Sequence, residues 1–475
     1  MHLRLPDHLV CPFTRQPLRL EVIRGGSDRV DYGVLWSEIA EFPILSGIPV
    51  LLPDQDEVVE LLWDGDLKGA LSRAVLGPAP MSGARKLASR LGEGRLLGPI
   101  AQTADNWLAQ RDHSRAVSTI LRSGTDPVTR LIAAGFHAQR TELGAVGYRE
   151  ACNYFRYRYG APRYLVGLSY IEWLPIDAGT VLDLGCGAGH LAWQLTLRSP
   201  ASRVIGLDRE FFLLLVGKRY VAPQAEFVCG DAAQLPLRDG HLDAVFSSDV
   251  FSVLPDKWRV LREIERVLTT DGWMALTSLT NADCDHEFAG LPLSPGGWRL
   301  LVEHLDHRLL PDRVVLESYW ERRGVPAGRI WEDGELSGEP LLSLVATKGS
   351  GGFRDGPEFS GWPHARGALG VNPLYRVASV MNGAIAYERF FPSRYHERDN
   401  RFAFDYLPQR FTLSRSAIKR AEQGDIDDSM EALIASCAVI GYPPRLLQDP
   451  WLAGSYHRPE AKESPTRQRT TSESS

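Results

Sequence analysis

The sequence predicts an α/β protein whose central domain is built on a mostly parallel β-sheet. Strands and helices alternate from about residue 147 to residue 348, the order expected when helices connect parallel strands. One apolar strand, in "VLDLGCGAGHLAWQL", runs directly into a glycine-rich turn and then into a helix. Later apolar runs end on acidic residues, at Asp208 and Asp231. Because the carboxyl ends of parallel strands meet at one edge of a sheet, the turn and these acids are expected to lie together.

Length and composition are those of an ordinary globular protein. The 475 residues suggest roughly three domains, and 44% of them are apolar and 24% charged. The formal net charge of −6 does not indicate a nucleic-acid surface, and no apolar run is long enough to predict a membrane span. The N-terminal stretch "MHLRLPDHLVCPFTRQPL" contains charges and prolines where a signal peptide has an apolar core. The six cysteines are scattered without a CxxC pair, so a cytoplasmic location is expected.

Periodicity and turn residues divide the chain into six segments. The first is a small β-rich module, because its apolar runs are broken by Gly and Pro, and a helical connecting segment follows it. The α/β domain comes next, then a Gly- and Pro-rich linker and a partly helical C-terminal extension. The last segment lacks apolar residues and is expected to be a disordered tail. In chain order the segments span 1–55, 56–145, 146–348, 349–367, 368–455 and 456–475.

The clearest helical pattern of the C-terminal extension is "DDSMEALIASCAVIGYPP". Its apolar residues fall on one face of a helix, which Gly441 and the following prolines are expected to end. The residues of that face are Met430, Leu433, Ile434, Cys437 and Ala438.

The glycine turn points to a nucleotide-like cofactor, since it brings a bare backbone to the N-terminus of a helix. A dinucleotide site requires the pattern G-x-G-x-x-G. Here Gly189 comes one residue early, and His190 stands where the third glycine belongs. The acid that ends the second strand, Asp208, can accept both hydroxyls of a ribose. Asp231, at the end of the third strand, can accept an adenine amino group, and the small Ala232 beside it admits the flat ring.

Taken together, the segments "VLDLGCGAGH", "VIGLD", "FVCGDAAQLPLRDGHLDAVFSSDV" and "VLREIERVLTTDGW" resemble the class I S-adenosylmethionine-dependent methyltransferase family. The resemblance is close over about 180–280 and loose to about residue 348. It implies a Rossmann-like, seven-stranded sheet with S-adenosylmethionine as the cofactor. It also implies that Asp183 and the glycine turn hold the methionine part, Asp208 the ribose, and Asp231 with Ala232 the adenine. The cofactor-binding residues implied are Asp183, Gly185, Cys186, Gly187, Gly189, Asp208, Asp231, Ala232 and Ser248.

The sequence departs from the family at the position of a frequent histidine after the fourth strand, where it has Val253. A general base from that position is therefore absent. The end of the fourth strand does not resemble N-P-P-Y either, which weakens the case for a DNA-adenine or glutamine-amide acceptor. The candidate bases that stay are His286, in the loop "TNADCDHEFAG" after the fifth strand, and Asp249, which the resemblance places beside the acceptor. The alternative is that His286 is only a solvated loop residue.

Two interpretations stay open for the aromatic and basic stretch before the first strand. Tyr154, Arg156, Tyr157 and Tyr159 can line the cofactor mouth, with Arg156 or Arg163 near the methionine carboxylate. Alternatively, the stretch is an amphipathic helix that packs on the sheet through aromatic side chains.

The N-terminal module resembles the small, zinc-ribbon-like Trm112 family through "LVCPFTRQPL" and "FPILSGIPVLLPD". Such modules often carry two cysteine pairs that bind a structural zinc. This one keeps Cys11, has Thr14 in the place of its partner, and has no cysteine between Asp31 and Phe42. One thiolate cannot build a four-ligand site, so no metal is expected. We expect instead a packing element, or one that contacts a protein partner or a second copy of the chain.

The sequence thus predicts an S-adenosylmethionine-dependent methyltransferase that acts on a small molecule, in specialised metabolism on one interpretation. Displacement at a sulfonium methyl needs mainly positioning and a dry site. One alternative is a tRNA or protein methyltransferase, which the Trm112-like module favours and the acidic charge balance disfavours. Another is a non-catalytic subunit that binds S-adenosylmethionine and assists a partner.

Overall fold

The computed structural model describes residues 1–76, 128–132, 155–176, 178–285, 290–350, 352–359, 365–381, 383–391, 397 and 405–448. The chain starts with a four-stranded antiparallel sheet in which consecutive strands are neighbours. Two helices follow this sheet, and α1 begins at an acidic first turn, which suits the positive end of a helix. Their bounds are β1 Arg19–Gly25, β2 Val30–Trp36, β3 Glu41–Leu45, β4 Ile48–Pro49, α1 Asp56–Trp63 and α2 Leu67–Leu76.

The centre of the protein is a seven-stranded sheet, which confirms the predicted fold class. Its strands are β5 Thr180–Leu184, β6 Arg203–Asp208, β7 Glu226–Cys229, β8 Leu242–Ser248, β9 Leu268–Thr280, β10 Asp306–Pro311 and β11 Leu341–Thr347. They lie in the order β10-β11-β9-β8-β5-β6-β7. β5 to β9 are mutually parallel, and only β11 runs against its neighbours β9 and β10. The carboxyl ends of β5 to β10 therefore share one edge.

Helices cover both faces of this sheet, as the near-continuous apolar strands require. Alternate residues of β5 point to opposite sides, so Val181 and Leu182 belong to two different apolar clusters. The helices are α3 Pro162–Trp173, α4 His190–Arg198, α5 Phe211–Val216, α6 Lys257–Val267, α7 Pro295–Leu300, α8 Asp312–Trp320 and α9 Asp333–Leu336. One cluster contains residues of α3, α4, α5 and α8, and the other contains residues of α6, α7 and α9.

The N-terminal module packs on the edge of this sheet. Val50 forms a parallel bridge with Cys229 of β7, and the Leu51 N–H donates to the Cys229 carbonyl at 2.7 Å. An ion pair between Arg15 and Glu263 of α6, at 2.7 Å, ties the other side of the module to the domain. The module therefore covers part of the edge strand β7, which would otherwise present unpaired backbone groups.

The C-terminal extension carries strands as well as helices. Its elements are β12 Ala368–Val371, β13 Tyr375–Met381, β14 Ala384–Arg389, β15 Arg410–Ser414, α10 Arg415–Glu422, α11 Asp428–Ala435, β16 Val439–Tyr442 and α12 Pro444–Gln448. β12 pairs with β16, and β13, β14 and β15 form a second antiparallel sheet. The predicted helix is shorter than expected, because Cys437 adopts a left-handed conformation with φ +53°. Gly441 then lies within β16.

The segment predicted to be a linker packs on the domain where it is described. The Phe353 ring stacks on Trp173 of α3, with a centroid distance of 6.3 Å, and meets Trp273 of β9 edge-on at 5.4 Å. The Gly356 N–H also donates to the Val325 carbonyl at 2.8 Å. Residues 352–359 are therefore packed against the α/β domain.

No helix in the described ranges has the length and apolar character that crossing a membrane requires. The five described cysteines are free thiols. Within the same residues there is also no group of three or more His, Cys, Asp or Glu side chains with the spacing of a metal site.

Candidate active site

The glycine turn between β5 and α4 leaves an open cradle at the carboxyl edge of the sheet. Gly185 has φ +71°, and a Cβ added there would lie 2.6 Å from Val250 Cγ2, so a side chain is excluded at this position. The N–H groups of Gly185 and Cys186 both donate to the Leu207 carbonyl, at 2.7 and 3.1 Å, which fixes the turn to β6. Gly187, at φ +52°, has no heavy atom closer than 4.0 Å to an added Cβ, so open space lies beside it.

Asp208, at the end of β6, holds this turn through its carboxylate. One oxygen accepts the Gly187 N–H at 2.8 Å, and the other accepts the Glu210 N–H at 3.0 Å. Each carboxylate oxygen has a second acceptor position. The side chain is half-buried beside the open cradle, where a ligand's hydroxyl groups can approach it.

Three buried polar atoms near this edge have no hydrogen-bond partner in the described part of the chain. They are Asp183 Oδ2 on β5, Ser248 Oγ on β8 and Thr277 Oγ1 on β9. Ser248 and Thr277 are direct partners across the two parallel strands. Buried polar atoms normally have partners, so this concentration at one edge marks a site for a polar ligand.

Asp183 is the most perturbed acid of the candidate site. Its side chain is 2% exposed, and burial raises its pKa from 3.8 to about 7. The charge of Asp208 raises this pKa further, whereas a backbone hydrogen bond from Ala192 and the charge of Arg158 oppose the shift. Asp183 therefore exchanges a proton near neutral pH, and a cation placed beside it would favour the carboxylate.

Asp231 and Ala232 follow β7 at the same edge. The Asp231 carboxylate accepts the Ala233 N–H at 2.8 Å and caps the 3₁₀ turn Ala232–Gln234. Both side chains are half-buried. Cys186, in the glycine turn, is buried, and burial raises the pKa of its thiol well above the usual value, so it is a packing residue rather than a thiolate.

Asp249 directly follows β8 and is held by two arginines. Its carboxylate lies 3.1 Å from Arg163 Nη1 and 3.6 Å from Arg158 Nη2. The residue has φ +62°, a strained conformation for a non-glycine residue and one that recurs at functional sites. The two guanidinium groups hold the carboxylate in place at the end of β8. This arrangement favours a positioning role for Asp249 over that of a general base.

His286, the other candidate base, lies outside the described residues, as does Tyr154. Arg156, Tyr157 and Tyr159 are buried, and Tyr159 and Arg156 contact Tyr442 of the C-terminal extension. Tyr159 meets the ring of Tyr442 edge-on at 5.5 Å, and the Arg156 guanidinium lies 5.6 Å from the centre of the same ring. His190 Nε2 donates to the Phe155 carbonyl at 3.0 Å, and burial lowers its pKa to about 3, so the ring is neutral.

Sequence reasoning missed Asp312, which directly follows β10 at the same edge. The carboxylate is 5% exposed and accepts hydroxyl hydrogen bonds from Ser278 of β9 at 3.1 Å and Ser343 of β11 at 2.5 Å. Burial raises its pKa to about 6. The signal that identified Asp208, an acid at a strand end, is present in "HRLLPD". The two serines are absent from any sequence motif, because a β-bulge between β9 and β11 brings them together.

Comparison with known proteins defines this domain. Residues 182–276 match the family model described as a methyltransferase domain. The chain contains a class I methyltransferase domain. The match begins in β5, which carries Asp183, and ends in β9, so it includes the nine residues that the family resemblance implied to bind the cofactor.

Curated relatives of the methyltransferase domain act on different acceptors according to their names. The chain is 29% identical over 111 residues to a malonyl-[acyl-carrier protein] O-methyltransferase of Legionella pneumophila, covering 23% of this chain and 39% of that protein. It is 34% identical over 106 residues to a demethylmenaquinone methyltransferase of Thermotoga maritima, covering 22% and 46%. The chain thus spans less than half the length of these two relatives.

Among solved structures, the complex of the Haloferax volcanii Trm112 methyltransferase activator with the putative methyltransferase is similar to this chain. The sequences are 20% identical, and the match covers 43% of this chain and 94% of the other, with a TM-score of 0.32.

The methyltransferase domain implies S-adenosylmethionine as its cofactor, and the residues of the site fit that molecule. The cofactor carries an ammonium, ribose hydroxyls and a flat adenine. The unpartnered Asp183 Oδ2 suits the ammonium, and the half-buried Asp208 carboxylate suits the hydroxyls. The open space at Gly187 allows a ligand to approach the turn. The assignment of each residue to a part of the cofactor stays a prediction.

Proposed function

We propose that this protein transfers the methyl group of S-adenosylmethionine to a small-molecule acceptor. The observation that carries the proposal is the series of polar groups at the carboxyl ends of neighbouring parallel strands. Asp183, Asp208, Asp231 and Ser248 lie at or just beyond the carboxyl ends of β5, β6, β7 and β8, and atoms of the first and last lack partners in the described structure. A nucleoside with an ammonium-bearing side chain carries polar groups that can bind each of these side chains.

The chain's own residues bind the cofactor and orient it. Asp208 holds the turn at Gly187, and the buried Asp183 offers a carboxylate whose charge a ligand cation would stabilise. Asp249 is held between Arg158 and Arg163, so these three charged groups are fixed beside the end of β8. When bound, the cofactor supplies an electrophilic methyl group on a positively charged sulfur. An acceptor with an available lone pair then needs correct placement and a site without water.

The choice of a small molecule rests on the surroundings of the site. The net charge of −6 disfavours an anionic nucleic acid as the acceptor. The N-terminal module packs on the sheet edge of its own chain through Leu51 and Arg15, which favours a structural role over recruitment of a protein acceptor. A role in specialised metabolism and a cytoplasmic location are part of this proposal, and the neighbouring genes would test the first.

Isothermal titration of the full chain tests cofactor binding. S-adenosylhomocysteine, the product without the methyl group, should bind, whereas NAD should bind negligibly because the glycine pattern is not that of a dinucleotide site. Measurable NAD affinity without S-adenosylhomocysteine affinity would overturn the proposal.

Methyl transfer requires a second measurement. Incubation with methyl-labelled S-adenosylmethionine and a mixture of small metabolites, tRNA and cell protein should yield a labelled product of low molecular mass. Label recovered only in tRNA or protein would establish the first alternative, whereas cofactor binding without transfer would favour the non-catalytic subunit. A steep salt dependence of RNA binding would also support the tRNA alternative.

A further inference from the structure

A cavity of about 400 Å³ lies at the carboxyl edge of the sheet, between α3, α8 and the C-terminal extension. Its residues come from 162–166, 312–341 and 405–406, which all lie outside the matched range 182–276. The methyltransferase match therefore does not determine its shape or charge. Arg163 lines it and also pairs with Asp249, which connects the cavity to the end of β8.

Carboxyl groups outnumber guanidinium groups on the cavity wall. The guanidinium groups are those of Arg163 and Arg313, and the four carboxyl groups are those of Asp312, Glu317, Glu339 and Asp405.

Both guanidinium groups already have carboxylate partners. Arg313 contacts Glu317 and Glu339, each at 2.7 Å, and Arg163 contacts Asp249. Within the described ranges, Asp312 and Asp405 form no ion pair. The cavity wall therefore favours a ligand with positive charge.

One wall of the cavity is aromatic. The rings of Trp320 and Tyr406 lie 4.5 Å apart at an angle of 36°. The Tyr406 hydroxyl donates to the Gly160 carbonyl at 3.0 Å, which anchors the extension to the chain before α3. Val166 and Leu316 add apolar surface. Aromatic and apolar walls bind the body of a small molecule, and an aromatic face attracts a cation.

Asp312 is held rigidly at this cavity. Hydroxyl groups of Ser278 and Ser343 donate to its two oxygens, one to each, and leave each oxygen a further acceptor position. Ser278 has φ +57° at the β-bulge, a strained conformation that this arrangement maintains. A carboxylate oriented in this way at the wall of a cavity is suited to accept a hydrogen bond from a ligand's ammonium.

We propose that this cavity binds the methyl acceptor and selects a small molecule with a basic nitrogen on an apolar or aromatic body. Asp312 and Asp405 attract the nitrogen, and Trp320 with Tyr406 contacts the body. This inference rests on the proposed function, since it names the acceptor class of the same site.

Matched pairs of ligands test the selection. Tryptamine is compared with indole-3-propionate, and phenethylamine with 3-phenylpropanoate, by isothermal titration of the full chain saturated with S-adenosylhomocysteine. In at least one pair, the amine should bind about tenfold more tightly than the carboxylate of the same shape. Asp312→Asn and Asp405→Asn should each weaken amine binding about fivefold. Asp428→Asn, at an exposed acid of α11 outside the cavity, should leave amine binding unchanged.

Four outcomes overturn the inference. On the ligand side, these are carboxylates that bind as tightly as the amines, or amines that show no binding at about millimolar concentration. On the protein side, these are an Asp428→Asn variant that weakens amine binding as much as the cavity variants do, or amine binding that is unchanged in both cavity variants. Asp405 is exposed, so its variant should fold even if the Asp312 variant does not. The two proposals fail separately. Absence of S-adenosylhomocysteine binding in the unmodified chain refutes the proposed function, whereas retained cofactor binding without amine preference refutes only the acceptor class.

Discussion

The buried carboxyl group of Asp183 should oppose folding at neutral pH and serve cofactor binding. Its folded-state pKa of about 7 lies above its unfolded value of 3.8, so the folded protein binds the proton more tightly. The free energy of unfolding is therefore highest, with respect to this group, below about pH 4 and falls as the pH rises to about 7. About three pKa units at 1.36 kcal/mol each correspond to roughly 4 kcal/mol.

Asp183→Asn removes the charge and keeps the shape of the side chain. We expect the stability of the variant relative to the parent to rise by roughly 4 kcal/mol between pH 4 and pH 8, and urea denaturation over this range measures it. Asp243→Asn is the control, because Asp243 is exposed on β8 and accepts the Thr180 N–H. Its relative stability should show no comparable rise. A relative stability of Asp183→Asn that does not change with pH would refute the assignment of the raised pKa.

Asp183→Asn should weaken cofactor binding, although it raises the stability of the protein at neutral pH. If the ligand's ammonium lies beside Asp183, binding releases the proton, about 0.9 proton at pH 6 and about 0.1 at pH 8 for a pKa near 7. Titrations of S-adenosylhomocysteine in buffers with different ionisation enthalpies measure this release. The variant should bind more weakly and release no proton at pH 6. Equal proton release by parent and variant would show that another group titrates.

Three further predictions concern other residues. Asp208→Ala should weaken S-adenosylhomocysteine binding by about 2–4 kcal/mol in a folded protein, because it removes both the ligand's acceptor and the contact that holds Gly187, and an unchanged titration would contradict this. If His286 is the general base, His286→Ala should lower the maximal rate about 10²–10⁴-fold and remove a limb of the pH–rate profile near pH 6.5. Cofactor affinity should stay unchanged. A full rate in the variant would show that the acceptor reacts without this base. Metal analysis of the purified protein should find no stoichiometric zinc, since Cys11 has no cysteine partner in its module, and one zinc per chain would disprove this.

Local features of the sequence were enough to predict the sheet and the positions of its strand-end acids. An apolar run that ends at an acid or a glycine is a short-range signal, and parallel strands place their carboxyl ends at one edge. Asp183, Asp208 and Asp231 could therefore be assigned to one edge without knowing any distance. The glycine turn was equally local, because Gly185, Gly187 and Gly189 stand within five residues between an apolar strand and a helix.

The pairing of distant segments was decided only by the tertiary structure. The bulge that directs Ser278 and Ser343 toward Asp312 depends on the antiparallel strand β11, which lies between β9 and β10. No sequence motif predicts the register of this pairing. The left-handed Cys437 likewise ends a helix whose apolar pattern continues, because the following residues pair with β12. Tyr406 closes the cavity from the C-terminal extension, far along the chain from α3. Such contacts follow from packing and strand register over the whole fold, whereas periodicity and turn residues describe only neighbours in sequence.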